Sequence, residues 1–464
     1  MQASSVVKER NFPLATAHHS NGRRPRRRKN GRAAGAGGAA WAGALALLLL
    51  ILCTGCANQQ RQEKIAGAVM SFHAGDYPRA IDTLKPMAEK PDEDFVLNNL
   101  RLGSTALAAQ DFDEAENAFL RAVEVINATG VNDGGRTLGA VLVDEKIKIW
   151  KGEPFERAMA SFYLGVVYYA RQDYQNARAS FENALFKLRD ADPDKPDSNA
   201  REVDSNFALA SLMLAKSYQR LGRDDLAKAN FEFVARRFPQ LAPLASEALN
   251  ASSNLLLVVD YGYGPRKVTD FDGAMVGFGP TPMEEGPLPR PIVRVDGREV
   301  PVWQFAQPPV DLLALAQDRK WQSIDTIRTV KSAIGTGLLV GGAVEGLRGV
   351  HGHGARQRTD LMVAGALIGT GLLLKATSQA DVRQWEMLPR TTYVLPLRVE
   401  PGTRDVTVEF PRNTRQVWQN LVVPATGEAT YYMKMQRWNQ GPFVWPPREE
   451  ISNPQSAKSE TMRQ

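Results

Sequence analysis

The stretch ASFYLGVVYYARQDYQNARASFENALFKL, residues 160–188, decides the fold of the first half of the chain. Apolar residues recur at helical spacing on both sides of the polar break RQD, which predicts two helices joined by a tight turn. Small residues where such helices cross let them approach, and aromatic residues fill the space beside them. The residues that define the pattern are Leu164, Gly165, Tyr168, Tyr174, Ala177, Phe181 and Ala184.

Three further segments, 64–88, 98–126 and 210–239, repeat this pattern. Their defining residues are Gly75, Tyr77, Ala80 and Leu84 in the first, Leu102, Gly103, Ala106, Phe112, Ala115, Phe119 and Ala122 in the second, and Leu214, Ala215, Tyr218, Gly222, Ala227, Phe231 and Pro239 in the last. The four segments resemble tetratricopeptide repeats, which stack helix pairs into a solenoid. A generic helical bundle is the alternative.

The repeat domain is expected to span 64–249, with inserts at 127–153 and 190–205. A tetratricopeptide solenoid binds peptides or proteins on its concave face and carries no chemistry of its own, so the resemblance implies a protein partner. We expect concave-face positions near Tyr168 and Arg171. The first insert is either a partner-binding element or packs against the edge of the array.

After the repeats the pattern becomes strand-like, which predicts a β domain at 250–448 and a disordered tail at 449–464. Strands are expected within 254–267, 291–297, 391–410 and 415–436. Alternation in YVLPLRV and DVTVEF, with PGT between them, predicts an antiparallel hairpin. The predicted fold class is α+β: an all-α repeat solenoid followed by a small β-sandwich-like domain of about six strands with an inserted helical hairpin.

The inserted hairpin is expected at 310–378. Glycines at a spacing of four residues let two helices pack backbone to backbone. They are Gly337, Gly341, Gly342, Gly346, Gly365 and Gly369. Three interpretations remain open: a soluble glycine-packed hairpin, a hairpin that enters or spans a membrane, and a self-association element.

Residues 1–56 have the features of a leader: the basic run RRPRRRKNGR, an apolar run, and a small Thr-Gly pair before Cys56. This resembles a bacterial lipobox, in which the cysteine is lipidated and becomes the mature N-terminus. Cys53 stands where the lipobox usually has Leu. The resemblance implies lipidation of Cys56 and a polar tether at 57–63. An uncleaved signal anchor and a cytosolic Cys-x-x-Cys redox pair are the alternatives.

The net charge depends on that leader. The chain carries 57 Lys and Arg against 51 Asp and Glu, a formal charge of +6. Nine of the bases and one of the acids precede Cys56, so the chain from Cys56 onward has a net charge of −2. A nearly neutral mature chain does not favour nucleic-acid binding.

The sequence carries no motif for catalysis, a cofactor or a metal. His351 and His353 lack further ligands nearby, and the glycine-rich stretches lack the Lys-Ser/Thr of a phosphate-binding loop. No nucleophile elbow or zinc-protease motif occurs. We therefore expect no enzyme activity, no cofactor and no metal site.

The order of parts resembles an uncharacterised family of bacterial tetratricopeptide-repeat lipoproteins. The resemblance implies membrane anchoring in the bacterial cell envelope, and Ala57 after the lipobox favours the outer membrane, facing the periplasm. One hypothesis is an envelope scaffold that docks a protein or peptide partner, in cell-wall synthesis or outer-membrane assembly. The other makes the glycine-rich hairpin a membrane-embedded component of an export or secretion complex.

Overall fold

The structure is a computed structural model. It describes residues 59–128, 149–188, 206–250, 253–270, 275–281, 286–318, 383–411, 414–435 and 443–445. Among these, the residues from Gln62 onward belong to one compact unit. Outside the described residues lie Cys56, the insert residues 129–148 and 190–205, the hairpin residues 319–378 with Gly337, Gly341, Gly342, Gly346, Gly365 and Gly369, and the tail 449–464.

Helices fill the described chain up to residue 250. They are α1 at 59–74, α2 (Tyr77–Ala88), α3 (Phe95–Ala108), α4 (Phe112–Asn127), α5 (Pro154–Ala170), α6 (Tyr174–Lys187), α7 (Ala208–Arg220), α8 (Asp224–Arg237) and α9 (Ala242–Asn250). The first eight form four consecutive pairs, each within one of the predicted repeats. This is the helical, tetratricopeptide-like half of the predicted fold.

The turn inside each pair has a common construction. One residue adopts the left-handed backbone conformation in each turn: Gly75, Gln110, Gln172 and Gly222, with φ of 81°, 60°, 63° and 67°. In three turns the next residue is an aspartate whose carboxylate accepts a hydrogen bond from the backbone N–H three positions on, as at Asp111 and Asp173 with donor distances of 3.1 Å. Such N-caps define where the second helix begins.

Glycine allows the helices of a pair to touch. A Cβ placed on Gly165 would lie 2.6 Å from Cε1 of Phe181, and one placed on Gly103 would lie 2.8 Å from Cδ1 of Phe119. Both distances are far below van der Waals contact, so each ring occupies the volume of the missing side chain. The aromatic residue of the second helix thus packs directly on the backbone of the first.

Strands dominate after residue 254. They are β1 (Leu255–Tyr261), β2 (Arg266–Asp270), β3 (Met275–Gly279), β4 (Ile292–Val295), β5 (Arg298–Val300), β6 (Thr391–Leu397), β7 (Gly402–Phe410), β8 (Thr414–Val423), β9 (Ala429–Lys434) and β10 (Phe443–Trp445), with a short helix α10 (Leu312–Gln317). The inner sheet has the order β6-β1-β9, the outer sheet has the order β10-β8-β7-β4-β5, and β2 pairs with β3.

The predicted hairpin of YVLPLRV with DVTVEF is wrong. β6 pairs with β1 in the inner sheet, whereas β7 pairs with β4 and β8 in the outer sheet. The fully buried Asn254 explains the crossing, because its amide donates to the carbonyls of Val399 and Pro424 and its oxygen accepts from the N–H of Val399. This one side chain therefore binds both connections that pass between the sheets, the one from β6 to β7 and the one from β8 to β9.

Aromatic contacts pack the two sheets face to face. The ring of Phe410 on β7 lies 4.3 Å from that of Tyr261 on β1 and 5.4 Å from that of Tyr393 on β6. Trp418 on β8 lies 5.6 Å from Tyr431 on β9. The sandwich-like β region follows the helical repeats, so the α+β class is confirmed.

Candidate functional site

The inner face of the helical array, here called the groove, is formed by α3, α5 and α7. It is covered by the chain itself. All fourteen residues of α3 and all seven of β1 are buried. By contrast, Ala227, Phe231 and Val234 are the buried residues of the outer helix α8. A helix that is buried all round must be packed on both sides. The inner sheet and residues 383–388, here called the groove segment, supply that second side.

Trp385 anchors the groove segment. Its side chain is 2% exposed, its indole N–H donates to Oγ of Ser104 at 3.1 Å, and its backbone N–H donates to Oε1 of Glu156 at 2.7 Å. The indole ring packs against the rings of Phe119 and Tyr163, with centroid distances of 6.2 and 5.7 Å. An aromatic anchor with its polar atom satisfied is how a bound peptide is held in a groove.

Ion pairs hold the groove segment on either side of Trp385. Arg101 on α3 donates to both oxygens of Glu386, at 2.5 and 2.9 Å. Arg383 donates to the carboxylate of Asp94 at 3.0 Å. Such paired, largely buried charges define both the position and the direction of the segment.

A buried carboxylate links the array to the inner sheet. Asp260 on β1 accepts hydrogen bonds from the hydroxyls of Tyr163 at 2.5 Å, Thr392 at 2.5 Å and Tyr432 at 2.6 Å. Burial raises the pKa of Asp260, while the positive charge of Lys434 and the hydroxyl donors act in the opposite direction. Each side-chain oxygen of this cluster is hydrogen-bonded to another residue of the cluster. The cluster therefore links α5 to the inner sheet.

A second buried cluster lies at α7. Glu428, in the loop before β9, pairs with Lys216 and Arg220 at 2.8 Å each and accepts from the hydroxyls of Tyr169 and Ser253 at 2.8 and 2.5 Å. Burial acts to raise the pKa of Glu428, but the two cations and the hydrogen bonds outweigh it and the pKa is lowered. The carboxylate is therefore charged, and it holds the loop on the array.

The two flanks of residues 319–382 are fastened to each other. Arg390 donates two hydrogen bonds of 2.6 Å to the carboxylate of Asp311, and the N–H of Leu312 donates to the carbonyl of Arg390 at 3.0 Å. Asp311 also caps α10 by accepting from the N–H of Leu313 at 3.0 Å. The described segments before and after residues 319–382 are thus joined to each other through Asp311 and Arg390.

The expected concave-face positions do not lie in the groove. Arg171 pairs with Asp113 and, at 3.5 Å, with Glu116, both on the neighbouring outer helix α4. Tyr168 is partly buried against the core beside the same helix, where the charge of Glu116 acts on it. Both residues therefore join one repeat to the next, because they project from α5 toward α4 and away from the sheet.

The repeat-defining residues lie inside the array. Buried ones are Tyr77, Ala80, Leu84, Leu102, Ala106, Ala115, Phe119, Ala122, Leu164, Ala177, Phe181, Ala184, Leu214, Ala215, Ala227 and Phe231. Phe112, Tyr168, Tyr174 and Tyr218 pack against the core while partly exposed. Pro239 begins the turn after α8. Together with the glycines of the turns and crossings, these residues hold the helices together. Other residues form the outer surfaces of the array.

Sequence reasoning missed the residues that close the groove. A signal was present, since Lys216 and Asp260 each follow an apolar run, in LMLAKSY and LLLVVDY, and Arg101 lies between two leucines in NNLRLG. Charges at such positions are buried with partners in folded proteins. Which partners they have depends on contacts hundreds of residues apart, and spacing along the chain does not encode those.

Comparison with known proteins identifies the repeats. Tetratricopeptide-repeat models match residues 156–196 and 209–240, so the prediction of tetratricopeptide repeats is confirmed. A solved structure described as MamA AMB-1 is 16% identical, covers 40% of this chain and 83% of its own, and has a TM-score of 0.26, which supports no argument about function. No curated protein matches the chain.

Two structural findings concern other classes of site. Within the described residues, no helix combines the length and the apolarity needed to cross a membrane. In the same part of the chain, no group of three or more His, Cys, Asp and Glu side chains is placed to hold a metal ion. Tetratricopeptide repeats, the family that both matching models describe, act as protein–protein interaction scaffolds.

Proposed function

We propose that this chain is a lipid-anchored scaffold of the bacterial cell envelope that binds a protein partner through the outer surfaces of its repeats. Cys56 carries the lipid, and the chain faces the periplasm from the outer membrane. The tetratricopeptide repeats support the scaffold role. The lipobox resemblance supports the anchor.

The observation that carries this proposal is the filled inner face. Breaking a buried ion pair by removing one partner costs about 3–5 kcal/mol, and two charged clusters and the groove segment close this face together. A partner peptide would also compete with an internal segment whose effective concentration is on the order of millimolar or higher. Binding is therefore assigned to the outer helices, and cell-wall synthesis and outer-membrane assembly are processes that use such scaffolds.

The surface can be tested by site-specific photocrosslinking in cells. The crosslinking amino acid is placed at the exposed positions Gln175 and Lys228 on the outer helices, and at the buried positions Ser104 and Tyr169 as controls. We expect one partner to be captured from the outer positions and none from the inner ones. Capture restricted to the inner positions would contradict the proposal.

The anchor has a separate test. Intact-mass measurement of the purified chain should show a lipidated N-terminus at Cys56, and Cys56→Ser should abolish it. An unprocessed leader in the wild-type chain would refute lipid anchoring. It would leave the partner-binding surface untouched, because the crosslinking experiment does not depend on the lipid.

A second candidate function is a membrane-embedded component of an export or secretion complex that acts through the glycine-rich hairpin. The pairing of Asp311 with Arg390 favours it, because this contact fixes the described segments on both sides of residues 319–382 to each other. Detergent partitioning of Cys56→Ser separates the candidates. A variant that still needs detergent supports the second, and a freely soluble variant supports the first.

A further inference from the structure

A cluster of cations lies at one corner of the third repeat. The basic corner consists of Lys151, Arg157 and Lys187, with Phe186 beside them. All three cations are partly buried, whereas the Phe186 side chain is 54% exposed. An exposed aromatic ring next to several positive charges is unusual on a surface that otherwise mixes charges of both signs.

Antiparallel packing of α5 on α6 brings these charges together. Nδ2 of Asn183 donates to Oγ of Ser161 at 3.0 Å, which places the two residues face to face. Arg157 precedes Ser161 by one helical turn, and Lys187 follows Asn183 by one turn. Because the helices run in opposite directions, both steps lead toward the same end of the pair.

The corner keeps an excess of positive charge within the described part of the chain, although the charges of Glu153 and Glu156 act on Arg157. The two nearest carboxylates are occupied, since Glu153 pairs with Lys267 at 2.8 Å and Glu156 accepts backbone N–H bonds from Glu153 and Trp385. Nε of Arg157 is buried and has no hydrogen-bond partner among the described residues. Burial and the charge of Arg157 lower the pKa of Lys151.

Helix ends explain only part of this arrangement. Lys151 donates to the carbonyl of Ala128 at the end of α4, at 2.9 Å, and Lys187 lies in the last turn of α6. Positive charge is favourable at both places. Neither contact supplies a counter-charge, however, and neither involves Arg157. Lowered pKa values for Lys151 and Lys187, caused by burial and by Arg157, show that the three charges act on one another.

We propose that the basic corner is the docking site for an acidic segment of the partner protein, with carboxylates on the three cations and an apolar side chain on Phe186. This deepens the proposed function by naming the surface and the chemistry of the partner. Charge complementarity selects an acidic ligand, and the exposed ring selects a protein segment over a simple anion.

The test measures binding of a fluorescein-labelled synthetic peptide, in which Asp and Glu flank Leu and Phe, to the full chain by fluorescence anisotropy. The variant Lys151→Gln/Arg157→Gln/Lys187→Gln removes the corner. A matched control, Lys64→Gln/Lys90→Gln/Arg266→Gln, removes the same charge from exposed positions elsewhere. The double variant Lys151→Gln/Lys187→Gln keeps the partly buried Arg157, so it tests the corner even if the triple variant does not fold. Phe186→Ser tests the apolar contact.

We expect roughly tenfold weaker binding for the triple variant, since each partly exposed ion pair contributes a factor of about two. Phe186→Ser should weaken binding several-fold, and the control should stay within about twofold of wild type. Equal losses in both triple variants, or a wild-type chain that does not bind the peptide, would overturn the proposal. Neither result would affect capture of a partner at Gln175 and Lys228, so failure here is distinguishable from failure of the scaffold function.

Two other occupants are outcomes of the same experiment. If vesicles of phosphatidylglycerol displace the peptide, and the triple variant no longer binds them, the corner is a lipid site and the proposal is wrong. The insert 190–204 of this chain contains Asp190, Asp192, Asp194, Asp197, Glu202 and Asp204. If its replacement by a neutral linker tightens peptide binding about tenfold, the insert itself occupies the corner, which also overturns the proposal.

Discussion

Substitution of Gly165 by alanine tests whether the close approach of paired helices determines the stability of the array. The added Cβ would lie 2.6, 2.8 and 2.9 Å from three atoms of the Phe181 ring. Phe181 is fully buried and its ring lies 5.7 Å from that of Phe162, so it has no free volume to enter. Either the ring leaves its rotamer or the two helices separate.

Two opposing effects determine the size of the change. Overpacking of a dense core costs about 1–3 kcal/mol. Alanine in place of glycine inside a helix contributes about 1 kcal/mol of stability. We therefore expect Gly165→Ala to lower the free energy of unfolding by up to about 2 kcal/mol.

Gly67 is the matched control, because it lies in α1 and a Cβ there would meet no atom within 4 Å. Gly67→Ala should raise the free energy of unfolding by about 0.5–1 kcal/mol through helix propensity alone. The two variants should therefore differ by the overpacking cost, about 1–3 kcal/mol. Urea unfolding followed by circular dichroism measures both values.

A double-mutant cycle assigns the loss to the ring. Phe181→Leu removes the atoms that the new Cβ would meet, so Gly165→Ala should be less destabilising in that background by at least about 1 kcal/mol. The reasoning is refuted if Gly165→Ala is as harmless as Gly67→Ala. It is also refuted if the two substitutions in the third repeat are additive.

Two further predictions concern the contacts that close the groove. Burial raises the pKa of Glu156 from 4.5 to about 7. The stabilisation that protonation of Glu156 gives the folded state is therefore complete below pH 4.5 and is lost as the pH rises through 7, a loss of about 3 kcal/mol. Urea unfolding of Glu156→Gln from pH 5 to 8 should lack that decline. Glu386→Gln should lower the free energy of unfolding by about 2–4 kcal/mol, because it leaves the buried Arg101 without its counter-charge. Arg101→Met should lower it by about 1 kcal/mol, because Glu386, with its side chain 28% exposed, remains hydrated. An unchanged pH profile for Glu156→Gln, or equal losses for the other two variants, would contradict these expectations.

The helical half was predictable because its determinants are local. The left-handed turn residue, the following aspartate cap and the small-aromatic crossing all lie within one repeat. Each has a physical requirement that a short window of sequence displays: a backbone conformation, a capping oxygen or a missing Cβ. Period and residue type were therefore sufficient to predict the helix pairs and their packing.

The strand pairing was predictable only in part. The alternation that marks β6 and β7 says which residues are extended, but not which strand each one pairs with. A short PGT connection fits a hairpin as well as a passage between two sheets. The buried amide of Asn254 decides between them, and it lies more than a hundred residues before the segment that it holds.

The closed groove had a signal in the sequence that repeat patterns do not include. The sequence of α3, FVLNNLRLGSTALA, carries a narrow polar face of Asn98, Arg101 and Thr105, and all three residues are buried although such a face would be solvated in an open groove. Its one arginine, the buried Arg101, then requires an acidic partner, which the distant Glu386 supplies. The inner face around α3, which is buried on every side, is therefore occupied by the chain's own segments, and our proposal assigns partner recognition to the less buried outer helices and their corners.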